Sequence, residues 1–127
     1  MKFFLAGKWQ DRDERIDVVN PADGDVIDTV PKADEADVET ALDAATRGAS
    51  IMAELSGYER FQILRRAADL MIERRDDLAM TLSREEGKPI REATLEVERS
   101  VQVIELSGEE AKRLGGEVLP LDGGQGV

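Results

Sequence analysis

With neither cysteine nor histidine among its 127 residues, this chain has only carboxylates, guanidinium groups, amines, hydroxyls and backbone with which to do chemistry. Thiolate nucleophiles, imidazole general bases, disulfides and zinc sites are all excluded within it. Few catalytic designs survive that exclusion. The formal net charge of -11 and the pI near 4.5 also argue against a nucleic-acid partner, because no basic stretch exists that could replace phosphate counterions. The acid is spread evenly along the chain. Arginine outnumbers lysine by 12 to 5, and an acidic, lysine-poor surface keeps a protein soluble in high salt. A salt-adapted source and a plain acidic bacterial protein fit this balance equally.

The elements that must position any functional group divide into a β section and a helical section. Phe3-Phe4-Leu5-Ala6-Gly7-Lys8-Trp9 is a short apolar run closed by a turn, too short for the core of an export signal. Arg15-Ile16-Asp17-Val18-Val19 alternates at period two, Asn20-Pro21-Ala22-Asp23-Gly24 is a strong turn, and Asp25 to Val30 resumes as a strand. The first thirty residues therefore read as antiparallel ribbon. From Asp34 the period changes, with Val38, Ala41, Leu42 and Ala45 on one helical face and Gly48 as its expected end. Ser56-Gly57-Tyr58-Glu59 is a capping box that opens a second helix carrying Phe61, Leu64, Ala68, Met71 and Ile72.

A third helix spans Asp76 to Glu86, with Gly87 as its C-terminal cap. Pro89, placed at a first helical position, opens a stripe of Ile90, Ala93, Val97, Val101, Ile104 and Ala111 running to about Leu114, roughly 39 Å at 1.5 Å rise per residue. Part of this stripe, Ile90, Val97, Val101 and Ile104, is expected to need a neighbour from outside the sequence. No apolar run approaches the ~20 residues that cross a bilayer, so no membrane partner is expected and the cytoplasm is the expected location. After Gly115-Gly116 the chain stays extended to Val127 with no element closed, an ending that reads as truncation.

Taken in order, Gly7-Lys8-Trp9, Val19-Asn20-Pro21-Ala22-Asp23-Gly24, the run from Glu59 to Leu70, and Glu86-Gly87-Lys88-Pro89 resemble the N-terminal third of the aldehyde dehydrogenase superfamily. Glu109-Glu110-Ala111-Lys112-Arg113 followed by Gly116-Glu117-Val118-Leu119-Pro120 is similar to the same family, and tilts the resemblance towards its lactaldehyde and phospho-aldehyde branches. The resemblance covers essentially the whole chain. It implies an α/β family fold of which this chain holds only the N-terminal portion, mainly α. That portion would be an antiparallel β ribbon over 1–31, four helices over 32–114 and an extended glycine-rich tail over 115–127. The dinucleotide-binding core and the catalytic domain would be absent.

The resemblance further implies that the intact enzyme oxidises an aldehyde to a carboxylic acid with NAD or NADP. A cysteine thiolate would form a thiohemiacetal that yields hydride, and a glutamate would activate the hydrolytic water. Those residues would lie downstream, leaving no catalytic or cofactor-binding residue here. The small-molecule aldehyde is the implied partner, and the intact enzyme is expected to be a homo-oligomer. Three positions carry over. The backbone carbonyl of Val19 and the carboxylate of Glu85 match a monovalent-cation site of some members, although many members have aspartate where Glu85 stands. The plain alternative is a solvated acid in the last turn of a helix. Arg99 matches a face that lines the substrate entrance, where members acting on phosphorylated or carboxylated aldehydes place an arginine. Its plain alternative is an ion pair with Glu96 or Glu92 on its own helix face.

Two other readings stay open: an independent helical interaction module that binds a partner chain, and a noncatalytic remnant. The purified chain is expected to show no aldehyde-dependent reduction of NAD+ or NADP+. Turnover that survives removal of contaminating enzymes would refute the inference from composition.

Overall fold

The computed structural model describes residues 1–118; the extended reading of Leu119 onward lies outside them. The β section is two separate antiparallel pairs. Strands β1 (Phe3–Leu5) and β2 (Lys8–Gln10) pair across the Ala6-Gly7 turn, and β3 (Arg15–Val19) pairs with β4 (Val26–Pro31) across the Asn-Pro turn. In that turn Asn20 accepts from the Ala22 amide at 3.0 Å and Asp23 from the Asp25 amide at 3.0 Å. These side-chain bonds close the reversal locally, as Asn and Asp commonly do. A β-bulge at Val18/Val19 breaks the ladder just before it. Arg15 ties the pairs together by donating to the Met1 carbonyl at 2.6 Å and to the Thr29 hydroxyl at 2.7 Å.

Four helices follow: α1 (Glu35–Glu54), α2 (Gly57–Glu73), α3 (Arg75–Glu86) and α4 (Ile90–Ala111). Capping boxes start the first two. Asp34 and Asp37 exchange bonds with each other's amides at 2.9 and 3.1 Å, and Ser56 and Glu59 do so at 3.2 and 2.8 Å. The expected end of α1 at Gly48 is wrong. An interior glycine costs only about 1 kcal/mol against alanine, and the helix formers that follow carry α1 to Glu54, where Leu55 turns extended to enter the Ser56 cap. Pro89 is the cap residue rather than the first helical one, with ψ 138°, and α4 stops at Ala111 rather than near Leu114.

The core lies where α4 packs on α2 and α3. Its fully enclosed positions are small: Ala68 and Ala93 are 0% exposed and Ala79 is 1% exposed, with Val97, Val101 and Ala111 beside them. Small residues at a crossing let helix axes approach closely. The expectation that the α4 stripe lacks a partner is therefore corrected. Ala93 and Val97 pack on Ala79 and Leu82 of α3, inside this chain, while Ile90 at the helix start remains largely exposed. Among the described residues α1 carries an exposed apolar face, with Val38, Leu42, Ile51 and Met52, and its substantial contact is with β1. The buried carboxylate of Asp37, paired with the Arg12 guanidinium, fastens that helix to the β section.

Closest approach occurs at Gly57. A Cβ there would lie 2.5 Å from the Ala111 carbonyl oxygen, a backbone atom that cannot swing aside. Gly57→Ala is therefore expected to destabilise the chain by roughly 1–3 kcal/mol, although alanine is the better helix former. Urea denaturation of both forms measures the sign. A higher midpoint for the alanine variant would mean that α2 and α4 stand further apart.

Candidate functional site

The sequence from Ser83 to Pro89 turns α3 into α4. Gly87 takes φ 67°, the left-handed conformation that ends a helix and that other residues adopt only with strain. A Cβ on it would meet the Ala22 backbone nitrogen at 3.0 Å and Pro21 at 3.3 Å, so the Asn-Pro turn of the ribbon rests directly on this junction. The Ser83 hydroxyl donates to the Lys88 carbonyl at 2.7 Å and fixes the next residue. The Lys88 side chain then bridges two carboxylates, Glu86 at 2.5 Å and Glu96 of α4 at 2.6 Å. Its amine is held above the ordinary lysine value, chiefly by the bond to Glu86 and next by that to Glu96.

That bridge decides the surroundings of Arg99. Glu96 stands one turn before Arg99, at the spacing where the two would pair on a bare helix. Instead Glu96 is engaged by Lys88, and Arg99 makes no ion pair among the described residues; its Nε donates to the Leu95 carbonyl at 3.3 Å. The alternative pairing with Glu92 or Glu96 is not formed. Arg99 is exposed and lines a shallow groove of about 400 Å³ with Glu96, Ser100, Val103 and Ile104. Val103 presents apolar surface there, 62% exposed. An uncompensated guanidinium beside apolar side chains suits an aliphatic anion, since the fork can hold a carboxylate or phosphate through two parallel bonds.

Val19 and Glu85 occupy comparable stations on the two partners of the junction: Val19 precedes the Asn-Pro turn, and Glu85 precedes Gly87 by two residues. Val19 sits at the bulge, where the ladder is irregular. Glu85 is exposed in the last turn of α3 and has no ion-pair partner among the described residues. It shares the wall of a groove of about 280 Å³ between the β3–β4 ribbon and α3 with Arg84, Val18 and Met80. A carboxylate and a backbone carbonyl are the right kinds of donor for a hard cation, though two oxygens are only part of a coordination shell. Among the described residues no cluster of three metal-binding side chains occurs.

Residues 9–127 match the aldehyde dehydrogenase family. The chain belongs to that family. Glutarate-semialdehyde dehydrogenase of Pseudomonas putida is 42% identical over 119 residues, covering 92% of this chain and 25% of its own length. Succinate-semialdehyde dehydrogenase [NADP(+)] of Escherichia coli is 41% identical over 118 residues, covering 91% and 24%. Lactaldehyde dehydrogenase of Methanococcus vannielii is more distant, 32% identical over 117 residues, covering 92% and 25%. Among solved structures, aldehyde dehydrogenase 21 of Physcomitrella patens in complex with succinate superposes with a TM-score of 0.93 at 38% identity, over 98% of this chain and 26% of that one. This chain thus spans about a quarter of the length of the curated relatives it matches.

The two strand pairs of this aldehyde dehydrogenase segment are antiparallel, and the described residues hold no glycine-rich turn leading from a parallel strand into a helix. That turn is the usual cradle of a dinucleotide. Among the described residues no helix is long and apolar enough to cross a membrane.

Lys88 is the residue that sequence reasoning passed over, treating Gly-Lys-Pro as a boundary marker. The signal for it was the carboxylate at each reachable distance, Glu86 two residues before and Glu96 eight after, joined by a turn that points both ways. A raised lysine value has a defined consequence. The stabilisation it represents is fully present below the ordinary value of 10.5 and is lost as pH rises through the raised one. The melting-temperature difference between wild type and Lys88→Met should accordingly stay level through neutral pH and shrink above pH 10.5. A difference that is unchanged in strong alkali would show that the bridge contributes nothing.

Proposed function

We propose that this chain is the N-terminal part of an NAD(P)-dependent aldehyde dehydrogenase acting on an aldehyde that carries a fixed anionic group, with Arg99 as the residue that holds that anion. The observation that carries this reading is the free guanidinium of Arg99 beside Val103 and Ile104, its one-turn carboxylate neighbour withdrawn. The reading is supported by the names of the relatives, since glutarate and succinate semialdehydes each bear a carboxylate. The nucleophile, the water-activating base and the nucleotide cradle would lie outside these residues. The cofactor would be NAD or NADP, and the intact enzyme a cytoplasmic homo-oligomer. Val19 and Glu85 would contribute to a monovalent-cation site that braces the junction of ribbon and helices, as their oxygen donors suit. The exposed apolar face of α1 favours one other reading, a module that binds a partner chain through that helix.

A clamp on a non-reacting anion acts on binding, equally in ground and transition states. In the intact enzyme Arg99→Ala should therefore raise KM for a carboxylated aldehyde by roughly 2–3 kcal/mol of lost binding, with kcat nearly unchanged, as loss of uniform binding does. An uncharged aldehyde of similar length should be little affected. Steady-state kinetics on the two substrates decide it, and equal effects on both would remove Arg99 from the site.

A further inference from the structure

We propose that Lys88 sets the anion selectivity of the α4 groove by holding the Glu96 carboxylate away from Arg99, which makes it a positioning residue for the substrate's charge. This rests on the reading of Arg99 given above. Left alone, Glu96 is the acid one turn from Arg99 on its own face and would neutralise it. Two features let Lys88 win that competition. Its backbone is placed by the left-handed Gly87 and by the Ser83 bond to its carbonyl, so the side chain sets out from a fixed point within reach of both carboxylates. Its side chain is also only 23% exposed and meets two carboxylates together. The alternative pair of Arg99 with Glu96 would be single and exposed, the weakest class of ion pair.

Two further acids of α4 are engaged by other cations, Glu98 by Arg75 at 3.5 Å and Glu105 by Arg65 at 3.1 Å, while Glu92 lies two turns before Arg99 and makes no ion pair among the described residues. Glu96 lines the groove beside Arg99, and its engagement by Lys88 is what leaves the Arg99 guanidinium open to an incoming anion. Removing the Lys88 amine would release Glu96 to Arg99, and an incoming carboxylate would then have to displace a resident one. The device works through charge placement and touches neither the aldehyde carbon nor the cofactor.

The test uses the intact enzyme with succinate semialdehyde as the anionic probe and propanal as the neutral one. Lys88→Met should raise KM for succinate semialdehyde about five-fold, the scale of one exposed ion pair, with kcat and the propanal constants held. Adding Glu96→Gln should return KM to near wild type, because the released carboxylate is gone; a merely structural role for Lys88 predicts no such rescue. Lys88→Arg should keep the wild-type preference. A Lys88→Met effect shared by both aldehydes, or one that Glu96→Gln fails to reverse, overturns the proposal. The underlying reading fails differently. If Arg99→Ala treats the two aldehydes alike, the anion clamp falls and the role of Lys88 with it, whereas a selective Arg99→Ala beside an insensitive Lys88→Met overturns the role of Lys88 alone.

Discussion

One close contact organises this chain: Gly87, at φ 67°, with the Ala22 amide and Pro21 packed where its side chain would be. The left-handed turn stops α3 and sends the chain into α4, so that the two helices lie together and Ala79 can meet Ala93 and Val97. The same contact seats the ribbon on the helices, because the turn between β3 and β4 rests on that glycine. Lys88 inherits its direction from the junction, and Glu96 its partner. Any other residue at position 87 would face both penalties at once, a strained φ and a backbone nitrogen 3.0 Å from its Cβ.

The core that this junction assembles is thin. No large side chain is fully enclosed among the described residues, and the completely buried positions are alanines at helix crossings. Alanines bring helices close but each removes little apolar area from water, so hydrophobic stabilisation within the chain is modest for its length. The larger apolar groups, such as Leu42, Ile51, Val103 and Leu106, lie outside. Membership of a family whose members are about four times as long gives that distribution a physical sense. Faces exposed in the segment are faces on which further structure of the same fold can be built.

What the sequence made legible was local. The Ser56 and Asp34 boxes, the Asn-Pro turn and the Gly87 cap each depend on residues within four positions, and each forms as their types require. Gly48 was misleading because a weak local stop lost to the stronger cap eight residues on, which fixes where α1 must finish. The α4 stripe was visible as apolar, but periodicity says nothing about which helix covers it, and α2 and α3 proved to be at hand. At the candidate site, the pairing of Arg99 with Glu96 followed from helical spacing and failed for the same kind of reason. A competitor eight residues earlier was brought within 2.6 Å of Glu96 by a turn whose geometry spacing rules do not contain.

The acidity of the chain sharpens the meaning of that failure. Acidic residues outnumber basic ones by 28 to 17, and several cations of this surface are engaged by carboxylates, as Arg15, Arg65, Arg75, Lys112 and Arg113 are. The field of the whole molecule also repels an approaching anion. Binding an anionic aldehyde on such a surface needs a local positive charge that the excess acid has not already neutralised. At Arg99 that charge is left open because Glu96, its one-turn neighbour, is held by Lys88. A second cation adjacent to the helix is the simplest way to hold that carboxylate, and Lys88 has the position, the two carboxylate partners and the restrained backbone to serve.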